Sequence, residues 1–367
     1  MTAAAFSDVE GEWARAIKVL EGAEVICLAC HIRPDADALG SMLAVAQALG
    51  NGRRQVIASF GDLPFEVPAI LGFLPGLELL TPPDAYPERP EVMMTFDAAS
   101  ADRLGLLAGH ASRAGELIVL DHHASNTRFG TVHLVDPAAA ATAVLAHELI
   151  GRLGVGLSAD IAVGLYAGLV TDTGSFKYPA TSPQVHQLAA SLIATGLNPG
   201  AVAHELWDRA PFGYLGMLSA ALGRAVLEPD AGCGHCLVWT TVTCADRAAA
   251  GLSLDAAESV IDVVRRTDEA SVALVLKESD DGYWQVSARS KGEVDVGRAC
   301  VALGGGGHPQ AAGFTAGGSP AEVVAAVREQ LLAQCGPPGD QCGPSGQLRG
   351  PPGQLRRPPG NGQAAGR

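Results

Sequence analysis

Four stretches of this chain deliver carboxylates and imidazoles where an apolar run gives out. The first is "CHIRPDADALGS", residues 30–41, with His31, Asp35 and Asp37. Asp97 ends "VMMTFD", Asp121, His122 and His123 end "ELIVLDHH", and Asp172 ends "AVGLYAGLVTD". One aspartate at such a point is ordinarily a helix cap or a turn residue. Four such points together imply more, because this many carboxylates and imidazoles brought close cannot all stay charged and unpaired. Divalent cations resolve that conflict. Mixed carboxylate and imidazole donors suit manganese (Mn²⁺), with magnesium, iron, cobalt and zinc as alternatives. Two ions roughly 3.5–4 Å apart, bridged by one carboxylate, make a hydrolytic centre for phosphate esters.

The elements around these residues explain how they would meet. Residues 24–30, 54–60, 92–99 and 116–123 read as short, near-continuously apolar strands, with helical patterns such as "LAVAQALG" and "AAATAVLAHELIGRLG" between or after them. That alternation predicts an α/β fold, a doubly wound, mainly parallel sheet covered on both faces. Ligands of such sheets bind at the carboxyl ends of the strands. Residues 229–334 change character: "CLVWTTVT", "ASVALVLKE" and "YWQVSARS" read as strands and "PAEVVAAVREQLLAQ" as a closing helix, a second, smaller mixed α/β domain. The expected division is 1–190 for the first domain, 191–228 for a helical linker, 229–334 for the second domain and 335–367 for a disordered tail. The tail, "CGPPGDQCGPSGQLRGPPGQL" onward, is an imperfect seven-residue repeat that breaks the strict period collagen needs and has little to bury. Ser7 and Glu10 fit a capping box opening an N-terminal helix.

Bulk properties narrow the classes. With 367 residues, two domains are the default, and 48% hydrophobic residues supply ample cores. A net charge of −14 repels polyanions, which argues against long duplex nucleic acid. No stretch reads as a membrane span or a signal peptide, so the cytoplasm is the expected compartment. Cys27 and Cys30 sit three apart on a strand and point to opposite faces, so they are read as core rather than as a metal pair. Cys233, Cys236 and Cys244 lack the second half of a zinc motif. His147-Glu148 and His204-Glu205 fail as metalloprotease motifs, because Gly151 and Asp208 stand where a second histidine is needed. His110, His133 and His186 are read as structural.

A second anion site is suggested by "GGGGHPQAAGF", residues 304–314, which follows the helical run "VGRACVAL". The order is wrong for a dinucleotide fingerprint. Consecutive glycines can nevertheless let backbone N–H groups converge on phosphate oxygens. Arg289 ends a nearby strand, whereas Arg298 is read as a solvated helix residue.

These motifs resemble, in order, a known family. "HIRPDADALGS", "FDAAS", "DHHASN" and "GLVTDTGSF" are similar to the four motifs of the DHH phosphoesterase superfamily, and "SARS" and "GGGGHPQAAGF" to its DHH-associated C-terminal domain. Within it the sequence most resembles the bifunctional oligoribonuclease and phosphoadenosine-phosphate (PAP) phosphatase subfamily. The resemblance implies that His31, Asp35 and Asp97 ligate a first ion and that Asp37, Asp97, His122 and Asp172 ligate a second, with Asp97 bridging. It implies that His123 touches the scissile phosphate, that Asp121 orients one of the metal ligands without touching an ion itself, and that Arg289, Gly305, Gly306, Gly307 and His308 bind the far end of a nucleotide. The substrates implied are short RNA, PAP and cyclic di-AMP or its linear product, and a homodimer is compatible with the family. A family II inorganic pyrophosphatase, a single-strand DNA exonuclease and a nucleotide receptor without turnover are the competing readings. The first would carry a basic element in place of the glycine run, the second a further domain, and the third would have lost a ligand.

Overall fold

The computed structural model describes residues 3–50, 54–231, 234–292 and 294–334. The repeat tail and Cys233 lie outside the described residues. Helix α1 (Ala3–Gly22) leads into strand β1 (Val25–Cys30), helix α2 (Ala36–Leu49), β2 (Gln55–Phe60), β3 (Val92–Phe96), the short α3 (Ala108–Ala111), β4 (Glu116–Asp121) and β5 (Val132–Val135). Four helices follow: α4 (Thr142–Arg152), α5 (Ala159–Asp172), α6 (Pro183–Ile193) and α7 (Pro199–Trp207). α1 starts before Ser7, so Ser7 and Glu10 lie inside the helix and not in a capping box; Glu10 instead pairs with Arg152 of α4.

The five strands form a parallel sheet in the order β2-β1-β3-β4-β5. β1, β3 and β4 are buried almost throughout, as strands covered on both faces must be. The cover is uneven. One face carries α1, α2, α4, α5 and α6 in a large core, and the other is closed by α3 and irregular turns around Tyr86, Leu104 and Leu107. Cys27 faces the thin side and Cys30 the thick side, the opposite directions their spacing requires. The chain leaves β1 to one side for β2 and crosses to the other for β3, so β1 and β3 flank the switch point where such sheets bind ligands.

The second unit holds α8 (Gly213–Gly223), β6 (Val226–Glu228), β7 (Leu237–Val242), α9 (Cys244–Ala250), α10 (Val260–Val264), β8 (Val272–Glu278), β9 (Trp284–Ser290), α11 (Val296–Ala302), β10 (Gly306–His308), β11 (Ala311–Ala316) and α12 (Pro320–Leu332). Its mixed sheet runs β10-β11-β9-β8-β7-β6. One face packs on α11 and α12, through Leu274, Val286, Phe314 and Val324. Half of the other face packs on α8 and α10, through Val238, Val275 and Met217. The linker expected over 191–228 is divided between the two units. Val202 and Leu206 of α7 belong to the first core, whereas Met217 and Ala221 of α8 belong to the second. Each amphipathic helix goes to the apolar face that can cover it.

Candidate active site

Each acid reaches the site by a local device. Asp35 is the N-cap of α2: its Oδ1 accepts from the backbone N–H groups of Asp37 (3.1 Å) and Ala38 (3.0 Å). Its other oxygen points away from the helix, 3.7 Å from Nε2 of His31. Cap and functional carboxylate are thus the same side chain. Asp37, fully buried in the first turn, accepts from the N–H groups of Thr142 (2.6 Å) and Ala143 (2.8 Å), so it caps α4 across 105 residues of chain. α4 has no capping side chain of its own. Asp97 follows β3 with φ of 57°, a left-handed conformation that costs a non-glycine residue about 1–2 kcal/mol. Such strain is held where surrounding structure fixes it, commonly at functional sites.

Asp172, which ends an apolar run in the sequence, is the last residue of the helix α5 and so reaches the site from a helix end rather than a strand end. α5 can place it there because α5 and α2 touch backbone to backbone. A Cβ built on Gly40 would lie 2.4 Å from the carbonyl oxygen of Gly164, and one on Gly168 would lie 2.5 Å from Oδ1 of Asp37. Only glycine permits that approach.

The result is two clusters that share one carboxylate. Oδ2 of Asp97 is 3.5 Å from Nε2 of His31, beside Asp35. Oδ1 of Asp97 is 3.5 Å from Nε2 of His122, beside Asp37 (3.9 Å) and Asp172 (3.2 Å). Both imidazoles use Nδ1 on backbone carbonyls, His31 on Ile32 (2.8 Å) and His122 on Ala139 (3.1 Å). That leaves each Nε2 to face the carboxylates. Nε2 of His122 is buried and makes no well-aligned hydrogen bond. A buried nitrogen ringed by carboxylate oxygens is a donor set that fits a divalent cation. His31, Asp35 and Asp97 have donor atoms close enough to share one ion, as do Asp37, His122 and Asp172.

Within the protein, the carboxylates and imidazoles shift one another's proton affinities. Burial works against the charged form of His31, but the carboxylates of Asp35 and Asp97 outweigh it and lift its pKa to about 10. Burial, then the charges of Asp172 and Asp97, push Asp37 well above the usual carboxylate range. Burial raises Asp172 to about 6 despite the pull of His122. Asp97 goes down: burial is outweighed by His31, His123 and His122.

The remaining expected residues fall into two groups. His123 gives Nδ1 to Asp121 at 2.8 Å, and Asp121 is held from its other side by the Asn126 amide at 2.6 Å. His308 of the second unit comes across to the site, its ring stacked on His123 at 4.6 Å and its Nε2 3.8 Å from Asp172. Burial and the nearby His123 and His122 lower its pKa to about 4, keeping it neutral. Arg289 lies on the same face of the sheet, paired through Ala311 to His308. The glycine run departs from the expected anion-cradling loop. Gly306–His308 is an edge strand, the N–H of Gly305 is spent on Cys300 at 2.8 Å, and Cβ atoms on Gly305 or Gly307 would strike β11. Glycine is needed there for close strand approach. Arg298 is exposed on α11 as expected. His110 and His133 bond to backbone carbonyls, and His186 packs on Phe176, all structural roles.

Sequence reasoning missed Thr142. Its buried hydroxyl donates to Oδ1 of Asp97 at 2.7 Å, fixing the shared carboxylate. Nothing in "AAATAVL" signals this, because the contact exists only once α4 docks on the sheet.

Comparison with known proteins shows the family. Residues 25–169 match the DHH family, N-terminal domain, and residues 240–335 match the DHHA1 domain. The bifunctional oligoribonuclease and PAP phosphatase NrnA of Thermus thermophilus is 32% identical over 323 residues, 87% of this chain and 93% of that protein. The chain belongs to the DHH family. A probable NrnA of Streptococcus mutans is 24% identical to this DHH protein, over 79% of this chain and 89% of the relative. The crystal structure of an exopolyphosphatase-related protein from Bacteroides fragilis shares the fold, with a TM-score of 0.77 at 22% identity over 88% of this chain and 96% of that one. This DHH protein is a phosphoesterase, and the paired clusters fit a metal-dependent one. Among the described residues no helix is long and apolar enough to cross a membrane.

Proposed function

We propose that this protein is a two-cation phosphodiesterase and phosphatase that hydrolyses short oligoribonucleotides to 5′-mononucleotides and PAP to AMP, with pApA and cyclic di-AMP as further candidate substrates. The observation that carries the reading is Asp97, whose two oxygens each face a separate histidine–aspartate cluster. The Thermus relative's description supports the substrate class. His31, Asp35 and Asp97 would hold one ion and Asp37, Asp97, His122 and Asp172 the other, manganese suiting the donor set best. Bound cations would supply Lewis acidity, which activates water and neutralises phosphoryl charge.

The protein's own residues do the rest. Asp121 keeps the proton of His123 on Nδ1 and turns Nε2 toward the site, where it can stabilise charge on phosphorus oxygens. Burial lowers the pKa of His123, but Asp121 and Asp97 raise it more, favouring the protonated donor. His308 and Arg289 meet the far end of the substrate from the second unit, with the outer edge of Gly305, Gly306 and Gly307 beside them. A site closed by two units rewards a ligand short enough to touch both. The decisive experiment mixes the full-length protein and Mn²⁺ with pApA, PAP and cyclic di-AMP and follows AMP by chromatography, with Asp97→Ala alongside. AMP release lost in the variant is expected. No release from any substrate would overturn the reading.

A further inference from the structure

A buried lysine stands out in the second unit. Lys277 of β8 is 2% exposed, and its amino group bonds Oε1 of Glu258. Burying an ammonium group is costly, and an apolar residue of similar volume commonly serves stability as well. The pair sits where another role is available. On β8, residues 272, 274 and 276 face α11 and α12, so Lys277 is on the opposite face, with Val275. Strand register puts Arg289 and Ser287 of β9, and Ala311 and Gly313 of β11, on that same face. His308 completes it from β10. This is the half of the sheet that α8 and α10 leave uncovered, and it looks toward the metal clusters: His308 on this face comes within 3.8 Å of Asp172.

Glu258 stands at the border of the covered half. Ala257 and Val260, both fully buried, anchor the backbone on either side of it. Its Oε2 accepts from Ser287 at 3.3 Å. Over half of the side chain remains open to water. Each oxygen therefore carries one protein hydrogen bond and keeps a lone pair for the cleft. Ser287 lies two strands and two residues from His308, about 12 Å at ordinary sheet spacings. That is the span from a phosphate at the clusters to the base of an adjoining nucleoside.

A carboxylate lining a cleft for polyanions repels phosphate, so what it recognises is a hydrogen-bond donor. We propose that Glu258, pinned by Lys277 and Ser287, is a specificity-determining residue that accepts hydrogen bonds from the N–H edge of a nucleobase. Guanine offers two parallel donors and matches both oxygens. Adenine and cytosine offer one amino group. Uracil flanks its single N–H with two carbonyls that repel the carboxylate, so it ranks last. The inference rests on the nucleotide-phosphoesterase reading above, but it is testable without turnover.

The test uses the full-length protein loaded with Mn²⁺. Binding of GMP and UMP is measured by titration calorimetry, and kcat/KM is measured on pGpG and pUpU. Both readouts should favour guanine by about tenfold or more, the usual worth of a bidentate base contact. In Glu258→Gln, whose amide offers one donor and one acceptor, the ratio should collapse toward unity. Glu258→Asp keeps the partner of Lys277 but withdraws the carboxylate by one methylene, and should also lower the ratio. A wild-type protein that binds GMP and UMP equally, or a folded Gln or Asp variant that keeps the wild-type ratio, overturns the proposal. If no dinucleotide is cleaved while the GMP preference is present and depends on Glu258, base reading stands and the phosphodiesterase reading falls. If dinucleotides are cleaved with no base preference, base reading falls and the phosphodiesterase reading stands.

Discussion

Gly164→Ala should loosen the metal clusters from a distance. Its new Cβ would lie 2.6 Å from the carbonyl oxygen of Gly40, where ordinary contact begins near 3.4 Å. Backbone cannot rotate out of the way as a side chain can, so α2 and α5 must part by the better part of an ångström. Overpacking of this kind costs about 1–3 kcal/mol, against a helix-propensity gain of about 1 kcal/mol for alanine over glycine. The net loss should reach up to about 2 kcal/mol in urea unfolding of the EDTA-treated protein, and the variant should in any case fall short of the gain that alanine brings to an open helix site. The same parting carries Asp172, at the end of α5, away from Asp37, in the first turn of α2. Supporting-residue changes around metal ligands typically weaken affinity about 10–100-fold, and a similar loss of Mn²⁺ affinity is expected by calorimetry. Gly151→Ala is the internal control: it lies in α4, exposed, with nothing within 4 Å of its Cβ. It should be neutral or stabilising and leave Mn²⁺ binding alone. Equal stabilities and equal Mn²⁺ affinities for the two variants would refute the close-approach argument.

Thr142→Val deletes the hydroxyl that holds Asp97 while keeping the side-chain shape; Mn²⁺ affinity should fall about tenfold or more, and an unchanged titration would remove Thr142 from the site. The apo protein should lose stability as pH rises, because folding raises the proton affinity of Asp172 and His31. The share from Asp172 is complete below pH 4 and lost by about pH 6, and the share from His31 is complete below about pH 6.5 and lost as pH passes about 10; flat urea midpoints from pH 4 to 9 would contradict this. Cation binding must displace those protons, so Mn²⁺ affinity should weaken toward acid pH and binding heats should vary with the ionisation enthalpy of the buffer. Arg265 bonds the Tyr178 hydroxyl at 2.6 Å, joining the second unit to the segment after Asp172. Arg265→Ala should enlarge the radius of gyration in small-angle scattering, and an unchanged radius would show that this contact does not hold the units together.

Much of the site could be read from the chain because parallel sheets put all their strand ends on one edge. His31, Asp97 and His122 each follow a strand, so order and spacing alone brought them together. Asp172 was harder. α5 is buried nearly all round, and an apolar run of that kind carries no periodicity to separate helix from strand. The glycine run was read as a loop because glycine usually serves turns, yet at Gly305 and Gly307 it serves strand contact. Thr142 and Glu258 left no trace, since neither belongs to a motif and both gain their meaning from elements far away in sequence. The halves of the linker could not be assigned either, because an amphipathic helix does not say which core it will cover.

The double duty of Asp35 and Asp37 has an evolutionary consequence. Proteins that abandon catalysis usually do so by letting a ligand drift, which leaves the scaffold intact. Here the first-loop acids also begin two helices, Asp35 at α2 and Asp37 at α4. A descendant that lost either would have to rebuild a helix start as well as surrender an ion. Inactive descendants of this architecture should therefore fail first at His31, His122 or Asp172, and should keep the aspartates of the first loop long after the chemistry has gone.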